Sequence, residues 1–598
     1  MCGIAGIFAP TPMRGDELSA YAMRMQDRMR HRGPDGDGLW LSDSSQAVLA
    51  HTRLAIIGLG EAGQQPKSSG SRALTFNGEI YNYRALGTQL ENDGIRINTS
   101  TDSEVLLASL NREGGDCLDK LRGMFAFACW DEEKKEGLLA RDPLGIKPLY
   151  YYHAPGGELY FASEIRALLA SGTVPRRLSR RGIYGYLRTG TVPEPDTMIE
   201  GVRLLGAGSK LRWKDGKISI ERYWTLPVAS NGSGDGDVSN ALQDTVKHHF
   251  ESDVPVGIFL SGGKDSASVL SLARQIGIQD IKTYSVGSDE PDVDESELAR
   301  EVARHYRTEH IELKLDGEIV AKWLDEFLAA VDQPTNDGFN TWVVSRMAHE
   351  AGAKVVLSGL GGDEIFGGYP SFQMVPKLVR NARRIRPLSG LAAVAARCLG
   401  CLRNDSRFRR LGEFLSGPPT VRRAYTALRG SFTHREACRI GQGLGLKFTG
   451  VDAAELDNGT DSDENESGVS EQELTRYLRN QLLRDSDVMS MSHSLELRVP
   501  FIDRAFVETI SDVPAKTRYR SGKQALVAGV GDLPECLLNV PKRGFALPFR
   551  KWLDGALKER TAKLDRFKGV SLNTWYRQWS LMVLLDWIER HVTEPVSQ

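Results

Sequence analysis

The chain begins MCGIAGIF, and this start places a cysteine where it can act as a nucleophile. If Met1 is removed, the Cys2 thiol and a free α-amine share one residue. An N-terminal amine titrates near neutral pH and can act as the base for the thiol, so no histidine is required. The alternative is a buried β-strand that happens to contain a thiol.

Three later segments carry polar groups that such a nucleophile needs. HTRLAI contains Arg53, FNGEIYN contains Asn77, Gly78 and Glu79, and STDSE contains Asp102. Amide N–H groups can stabilise an oxyanion, and charged side chains can clamp the carboxylate and ammonium of an amino acid. Taken singly, none of these segments indicates a site, since Arg and Asp pairs are usually solvated.

A second group of candidates lies in two glycine-rich loops. LSGGKDS (260–266) stands between a predicted strand and a predicted helix, so backbone N–H groups can approach a phosphate chain at a helix N-terminus. It is not the Walker pattern G-x-x-x-x-G-K followed by Ser or Thr. SGLGGDEIFGGY (358–369) offers another such turn after a strand and contains Asp363 and Glu364.

The elements that position these residues divide the chain in two. Short β-rich runs separated by turns predict an α+β sandwich over residues 1–210. VASNGSGDGDVSN has the composition of a flexible connector, which we place at 211–240. From residue 241 to 598, strands alternate with helices, which predicts an α/β unit with a parallel sheet and sites at the carboxyl ends of its strands.

Two stretches of the second unit differ from this pattern. Residues 374–450 are predicted to be helical and basic. Residues 452–470 are acidic and poor in apolar residues, which predicts an exposed or disordered insert without a catalytic role.

Composition narrows the class of protein. The net charge of −2 provides no global field for nucleic acid or an anionic membrane, so any anion site must be local. Seven cysteines in 598 residues are sparse and odd in number, which fits a reducing compartment. No stretch approaches the roughly 20 apolar residues of a membrane span. We therefore expect a soluble, cytoplasmic protein that binds neither nucleic acid nor membrane.

Taken in order, the N-terminal motifs resemble a known family. MCGIAGIF, HRGPDG, HTRLAI, QQP, FNGEIYNY, TDSE, GMFAFACWD, ARDPLGIKPLYY and FASEIRAL resemble the glutaminase domain of class II amidotransferases, and most closely the asparagine synthetase B family. The resemblance implies an Ntn-hydrolase-type αββα sandwich in which Cys2 attacks the side-chain amide of glutamine. It implies Asn77 and Gly78 as oxyanion donors. The glutamine-binding residues that it implies are Arg53, Asn77, Gly78, Glu79 and Asp102.

The loop at 260–266 resembles the pyrophosphate loop of ATP pyrophosphatases. This implies a synthetase domain of that type with a helical extension, and cleavage of ATP between its α- and β-phosphates to give an acyl-adenylate and pyrophosphate. By the same match, Asp265 and Asp363 hold Mg²⁺, with water and phosphate oxygens in the remaining positions. The implied ATP-binding residues are Leu260, Ser261, Gly262, Gly263, Asp265, Ser266, Val286, Ser358 and Gly359.

Two C-terminal segments resemble those that close the synthetase site in this family, DVMSMSHSLELRVPFID (487–503) and VPKRGFALPFRKWL (540–553). By this match Lys542 neutralises the α-phosphate or the departing pyrophosphate. Glu496 is either an acid of the acceptor site or a carboxylate satisfied in the core. Asp487 and Arg498 are either functional or a structural ion pair.

The acceptor pocket departs from the family pattern. Family members usually have S-G-E-G-x-D-E, whereas this chain has Leu360 in place of the glutamate. A leucine can neither accept a proton from ammonia nor pair with the ammonium of aspartate. Lys264 stands where the phosphate loop more often has an apolar residue. We expect its side chain to contact one of three partners: phosphate, an acidic acceptor or solvent. The segment DQPTNDGFNTW (332–342) lies where the family shapes its acceptor pocket.

These observations predict a glutamine-dependent, ATP-hydrolysing amidotransferase that uses small-molecule substrates. Aspartate is the leading acceptor on family frequency, and Leu360 favours another carboxylate, such as a uronic acid of a polysaccharide, a peptide or a biosynthetic intermediate. A β-lactam-synthetase-like enzyme normally has a dead glutaminase, and a non-catalytic sensor would have lost catalytic residues, so the intact Cys2 set argues against both. Relatives are often homodimers, and a homodimer is the weak expectation here.

Overall fold

The computed structural model describes residues 2–227, 237–290, 294–449, 465–538 and 547–594. These residues form two six-stranded sheets and one five-stranded sheet. The strands are β1 (Gly3–Phe8), β2 (Gly36–Leu41), β3 (Ala47–Arg53), β4 (Lys67–Ser69), β5 (Arg72–Ile80), β6 (Gly123–Asp131), β7 (Glu136–Arg141), β8 (Tyr150–His153), β9 (Leu159–Ala162), β10 (Val202–Leu204), β11 (Ser209–Lys214), β12 (Lys217–Arg222), β13 (Val256–Phe259), β14 (Lys282–Ser288), β15 (Glu309–Leu315), β16 (Val355–Leu357) and β17 (Glu496–Arg498).

Helices surround all three sheets. The α-helices of the N-terminal half are Gly15–Asp27, Tyr83–Asn92, Asp102–Glu113, Ile165–Ala170 and Arg180–Thr189. Those of the C-terminal half are Val238–His249, Lys264–Gln275, Ser296–His305, Gly317–Ala330, Phe339–Glu350, Gly362–Phe366, Ser371–Arg384, Ser389–Leu402, Ser406–Leu415, Val421–Arg429, His434–Gly443, Glu466–Gln472, Arg484–Met491, Arg504–Ser511, Ala515–Arg518, Gln524–Val530, Glu535–Leu538, Phe549–Asp554, Lys558–Thr561 and Trp575–His591, and Glu473–Leu483 is a π-helix. Short 3₁₀ turns are Arg30–Arg32, Glu61–Gly63, Gly114–Lys120, Arg386–Leu388, Pro500–Ile502 and Ala562–Arg566.

The N-terminal half is a sandwich of two antiparallel sheets with helices outside. One sheet has the order β10-β8-β9-β1-β3-β2 and the other β12-β11-β7-β6-β5-β4. Phe8 from the first sheet packs against Trp130 and Trp213 from the second and against Phe161 of its own sheet, in a core that contains residues of both sheets. Burial of these aromatic surfaces holds the two layers together. The predicted αββα architecture is confirmed.

The sandwich extends further along the chain than the predicted boundary at residue 210. β11 pairs with β7 and with β12, so residues 211–222 lie in the sheet and not in a connector. Asp215 and Gly216, both with positive φ, form the turn between these strands. The predicted connector falls largely on residues 228–236, which lie outside the described residues, and a helix follows from Val238.

The C-terminal half contains the parallel sheet, in the order β15-β14-β13-β16-β17. Every neighbouring pair in this sheet is parallel. β13 and β16 lie side by side at its centre, and the chain leaves their carboxyl ends into the loops that begin at Ser261 and Ser358. This topology brings together the two glycine-rich loops, which are far apart in sequence.

The helical extension is present, but the predicted acidic insert has a different boundary. Residues 450–464 lie outside the described residues. The helix Glu466–Gln472 covers the end of the interval that composition assigned to the insert, and Asn465 caps it by accepting from the N–H groups of Ser467 and Gly468. The insert interpretation therefore does not hold for residues 466–470.

Within the described residues, no single helix has both the length and the apolar composition needed to cross a membrane. The helices Ser371–Arg384 and Arg386–Leu402 meet both criteria only as a pair, which is bent by 78°.

Candidate active sites

Cys2 lies where the two sheets of the N-terminal sandwich meet. It precedes β1 in one sheet, and its backbone N–H donates to Asn77 Oδ1 from β5 of the other sheet at 3.0 Å. Burial raises the pKa of the Cys2 thiol above its usual value, so the thiol needs a base to become a nucleophile. Asn77 Nδ2 is buried and has no hydrogen-bond partner among the described residues. It is a donor prepared for an oxyanion near the sulfur.

Gly78 follows Asn77 at a point where only glycine fits. Its φ is +152°, and a Cβ would lie 2.1 Å from the carbonyl oxygen of Met124 on the paired strand β6. Any side chain would push β5 and β6 apart. The close contact keeps Asn77 and Glu79, on either side of Gly78, fixed against Cys2.

Glu79 connects the glutamine site to the second half of the protein. Its Oε2 is buried without a hydrogen-bond partner, 3.7 Å from Nη2 of Arg498. Burial and the neighbouring Glu496 raise the pKa of Glu79 well above its ordinary value. Arg498 also binds Glu496 through Nε at 2.6 Å, and this contact helps to hold the pKa of Glu496 low despite its burial. One guanidinium thus lies between two carboxyl groups, and the pKa of Glu496 is the lower of the two.

This arrangement corrects the interpretation of Glu496 as an acid of the acceptor site. In the parallel sheet Glu496 is paired with Val355, the first residue of β16, whereas the phosphate loops leave the opposite end. Its side chain pairs with Arg498 at the contact between the two halves of the protein. Glu496 is therefore a buried structural carboxylate beside the glutamine site.

The other two predicted glutamine-binding residues flank this centre. Asp102 begins a helix, and its Oδ2 accepts from the N–H of Ile80 at 3.1 Å. Burial raises the pKa of Asp102 to about 6. Arg53 ends β3 and donates through Nη1 to the carbonyl oxygen of Gly60 at 2.9 Å, and through Nη2 to Gly58. The loop after β3 therefore wraps around the guanidinium.

The two glycine-rich loops of the second half are packed backbone to backbone. A Cβ on Gly359 would lie 2.6 Å from the backbone nitrogen of Ser266, and one on Gly362 would lie 2.5 Å from Oδ1 of Asp265. The glycines therefore allow the loops to approach until Asp265 and Asp363 share one space. The helix that starts at Lys264 directs its N-terminus to the same place.

Lys523 occupies the space between these carboxylates, and the sequence interpretation missed it. Its Nζ lies 2.6 Å from Asp265 Oδ1 and also contacts Asp363. Lys523 is buried and has a φ of +58°, a conformation that is unfavourable for a residue with a side chain. Such a backbone persists when its surroundings enforce it and is common at functional sites. The ammonium marks the position where this site holds positive charge.

The remaining residues predicted to bind ATP lie around the same loops. Leu260 directly follows β13, at the start of the first loop, and Val286 lies on the neighbouring β14; both are buried. Ser261 Oγ is 3.0 Å from Ser266 Oγ, which closes the first loop. The N–H of Ser358 donates to the carbonyl oxygen of Arg498 at 2.9 Å. The predicted set Leu260, Ser261, Gly262, Gly263, Asp265, Ser266, Val286, Ser358 and Gly359 is therefore contiguous in space.

The sequence predicted roles near the phosphates for two lysines, and the structure describes only the first of them, Lys264. Lys264 Nζ donates to the carbonyl oxygens of Gly522 and Leu538, both at 3.3 Å, so it fastens the loop to the C-terminal segment. Lys542 lies outside the described residues, and its role as the cation of the phosphate site stays a prediction.

Asp487 and Arg498 do not pair with each other. Asp487 binds Arg32 at 2.8 Å and lies 3.5 Å from Lys147, all three buried between the halves. Arg498 pairs with Glu496 and donates to backbone carbonyls, including that of His249 at 2.8 Å. Both residues hold the two halves together.

The loop at 358–369 also contains an unusual carboxyl group. Glu364 accepts from the Tyr369 hydroxyl at 3.0 Å. Burial, together with the neighbouring Asp363 and Glu473, raises the pKa of Glu364 to about 8. Leu360, four residues earlier, is partly buried and packs against the apolar core. The loop in which a leucine replaces the expected glutamate thus also carries a buried carboxyl group with a raised pKa.

Comparison with known proteins agrees with this pair of sites. Residues 1–224 match the family model described as a glutamine amidotransferase domain, and residues 237–587 match that described as asparagine synthase. The chain is 32% identical over 573 residues to asparagine synthetase (glutamine-hydrolyzing) 1 of Bacillus subtilis (strain 168), covering 94% of this chain and 89% of that protein.

Two further relatives are another asparagine synthetase and a protein named as an amidase. Asparagine synthetase B (glutamine-hydrolyzing) of Escherichia coli (strain K12) is 34% identical over 431 residues, covering 67% of this chain and 70% of that protein. Amidase chry2 of Gibberella zeae is 27% identical over 625 residues, covering 94% and 91%. With both family models matched in order along the chain, the protein belongs to the glutamine-hydrolysing asparagine synthetase family and is an ATP-dependent glutamine amidotransferase.

Proposed function

We propose that the enzyme releases ammonia from glutamine at Cys2 and transfers it to a carboxylate activated as its acyl-adenylate, with L-aspartate as the leading acceptor. The observation that supports this most directly is the coexistence of two centres in one chain. Asn77 presents an amide nitrogen without a partner among the described residues beside Cys2, and Asp265, Asp363 and Lys523 converge on a helix N-terminus.

In the first half-reaction, the Cys2 sulfur attacks the side-chain carbonyl carbon of glutamine. The free α-amine of Cys2, present once Met1 is removed, takes the thiol proton, and Asn77 Nδ2 and the Gly78 N–H donate to the oxyanion. Collapse of this intermediate breaks the C–N bond and expels ammonia, and water then hydrolyses the glutamyl thioester to glutamate. Glu79, Asp102 and Arg53 bind the charged groups of the substrate.

In the second half-reaction, an oxygen of the acceptor carboxylate attacks the α-phosphorus of ATP and pyrophosphate leaves. The loop N–H groups and the helix N-terminus bind the phosphates, and Lys523 stabilises the charge that develops on the departing group. Ammonia then attacks the acyl carbon, forming the amide and releasing AMP.

The carboxylate pair fits Mg²⁺, since Asp265 and Asp363 supply hard oxygen ligands and already attract one cation, Lys523. When bound there, Mg²⁺ would neutralise phosphate charge.

A second candidate is the same chemistry on another carboxylate, and Leu360 favours it. An aspartate acceptor carries an ammonium group, and the side chain at position 360 offers it no charge. Glu364 on the same loop, whose pKa is raised, lies among other acids, Asp363 and Glu473, and is bonded to Tyr369. An acceptor without an ammonium group avoids this mismatch.

The decisive experiment is mass spectrometry of the products formed from ATP, Mg²⁺, glutamine and L-aspartate, with AMP and pyrophosphate followed in parallel. We expect asparagine with stoichiometric AMP if Leu360 is tolerated. Glutamate without asparagine would instead favour another carboxylate. Absence of glutamine hydrolysis by the intact protein would contradict the proposal.

A further inference from the structure

A large cavity opens between the two halves of the protein, beside the synthetase site. Its volume is about 1330 Å³, and its wall combines residues 181–222 of the N-terminal half with residues 403–431 and 475–481 of the helical extension. Drug-sized ligands fill roughly 300–1,000 Å³. The space is therefore much larger than an amino acid requires.

The wall of this cavity, which we call the arginine cavity, is strongly basic. Among the described residues that line it are ten arginines and no lysine, against four acidic residues. Some of the arginines bind acids of the wall, as Arg203 binds Asp196 at 2.8 Å and Arg479 binds Glu194 at 3.3 Å. By count, the described residues of the wall include six more basic than acidic side chains, in a chain whose net charge is −2, and one of the arginines, Arg429, pairs with Glu473 at 2.9 Å. Guanidinium groups bind carboxylates in a bidentate manner, which favours a ligand with several of them.

Buried polar atoms of the wall also lack partners. Asn340 Oδ1, Ser431 Oγ and Thr574 Oγ1 line the cavity and have no hydrogen-bond partner among the described residues. Leaving such a group unpaired costs about 1–3 kcal/mol. Hydroxyl groups of a ligand would satisfy both the amide oxygen and the two hydroxyls.

The cavity contains an aromatic platform as well. Phe549 and Trp575 both line it, and their rings are stacked with centroids 4.7 Å apart and an interplanar angle of 8°. Trp575 is 36% exposed. A flat aromatic surface next to hydroxyl, amide and guanidinium groups matches a sugar ring, which has C–H faces, hydroxyl groups and, in a uronic acid, a carboxylate.

The wall is continuous with the synthetase loop. Asn336, Asp337 and Asn340, from the predicted acceptor segment, all line the cavity. Arg429, also in the wall, lies 4.3 Å from the ring centre of Tyr369, and the Tyr369 hydroxyl binds Glu364, the neighbour of Asp363. One aromatic residue therefore connects the cavity wall to the loop of the reacting centre.

We propose that the arginine cavity binds an acidic oligosaccharide, a short chain of sugar rings that carry carboxylates, and that such a chain supplies the acceptor carboxylate. This inference takes up the second candidate acceptor above, a carboxylate other than aspartate, and rests on the proposed function for the fate of that carboxylate. Binding itself requires neither glutamine nor ATP.

Binding can be tested by isothermal titration of the full-length protein with trigalacturonate in the absence of ATP and glutamine. Maltotriose, a neutral trisaccharide, and triglutamate, an acidic peptide, serve as competing probes at the same ionic strength. We expect trigalacturonate to bind at least tenfold more tightly than either. Equal binding of triglutamate would overturn the carbohydrate assignment, and no binding of trigalacturonate would overturn the site.

The location is tested with Arg222→Met combined with Arg476→Met, and separately with Trp575→Ala, since these side chains line the cavity from different segments. Each variant should weaken trigalacturonate binding at least tenfold, whereas Arg384→Met, on an exposed helix outside the cavity, should not change it. Circular dichroism and the unfolding midpoint establish that the variants are folded. Unchanged binding in all folded variants would place the ligand elsewhere.

The two proposals fail in different ways. Asparagine and AMP formation without trigalacturonate binding would contradict only the arginine cavity as an oligosaccharide site. Trigalacturonate binding without AMP formation on any carboxylate would contradict the proposed synthetase chemistry, and with it the role of the chain as acceptor, but would leave the arginine cavity as the binding site.

Discussion

The two active sites differ in how the chain assembles them. The glutamine site comes from the first 102 residues, where the start of β1 in one sheet, β5 in the other sheet and one helix bring Cys2, Asn77 and Asp102 together. The synthetase site joins Asp265 to Lys523, which are 258 residues apart. The first is a local product of one sandwich, and the second depends on the packing of the whole C-terminal half.

The sites also differ in charge before substrates bind. In the glutamine site, Asn77 Nδ2 and Glu79 Oε2 are buried without hydrogen-bond partners among the described residues, which prepares them for a polar substrate. In the synthetase site the two carboxylates are already paired with one cation, Lys523. The first site is preorganised, whereas the second must rearrange its charges around phosphate.

The largest expected effect is at Cys2, where one substitution separates the activities of the two sites. Cys2→Ala should lower glutamine-dependent amide formation by about 10³-fold or more, since the nucleophile is removed. Synthesis supported by added ammonium should persist because the synthetase site is intact. Cys398→Ala, on an exposed helix, is the matched control. Glutamine-dependent turnover that survived in Cys2→Ala would refute the nucleophile assignment.

The converse change is Lys523→Met. It should reduce both glutamine- and ammonium-supported synthesis by about 10²–10³-fold while glutamine hydrolysis continues, because a cation that stabilises the transition state is lost. Measurement of AMP and glutamate in the same reaction gives both rates. Lys264→Met provides the control, since Lys264 binds backbone carbonyls of the C-terminal segment. Equal losses in the two variants would remove the special role of Lys523.

This contrast explains what could be predicted from the sequence. Cys2, Asn77 and Asp102 lie in short motifs on local elements, so the family resemblance named all three, and the structure places Asn77 against Cys2; their roles stay predictions. Lys523 follows no glycine-rich loop and leaves no local pattern; its φ of +58° and its contact with Asp265 exist only in the folded chain.

The errors have equally specific causes. Glu496 was assigned to the acceptor site because the sequence of a short strand does not show which end of the strand meets the phosphate loops. Only the pairing of Glu496 with Val355 shows that it lies at the opposite end. The error in the boundary at residue 210 was avoidable. Asp215-Gly216 lies between two runs of alternating apolar and polar residues, which is the sequence pattern of a β-hairpin.

Asn77→Ala sharpens the comparison within the glutamine site. Loss of one oxyanion donor should reduce kcat for glutamine hydrolysis by about 10²–10³-fold, with a smaller effect on KM. Synthesis with added ammonium should not change. Asn77→Asp, which keeps an oxygen to accept from the Cys2 N–H, tests whether the loss comes from the donor. An Asp variant with full activity would exclude Nδ2 as the oxyanion donor.

Gly359→Ala tests the backbone contact on the synthetase side. The new methyl group would lie 2.6 Å from the backbone nitrogen of Ser266 and force the two loops apart. We expect a destabilisation of about 1–3 kcal/mol and a higher KM for ATP, with glutamine hydrolysis retained. Gly390→Ala, where the Cβ meets open space, is the control. An unchanged KM for ATP would show that the contact of these loops does not shape the nucleotide site.

The last change acts on the pH dependence of stability at Glu364, whose carboxyl group keeps its proton to a higher pH in the folded protein than in the unfolded chain. Its pKa is raised to about 8 from an ordinary value of 4.5. Between these values the folded state binds the additional proton, so the free energy of unfolding falls as pH rises from about 4.5 to about 8. Glu364→Gln should therefore leave the unfolding midpoint unchanged at pH 4.5 and raise it at pH 8, while the exposed Glu91→Gln should not alter the pH dependence. An equal shift at both pH values would mean that packing and not ionisation distinguishes Glu364, and the synthetase loop would then hold its charge balance through Lys523 alone.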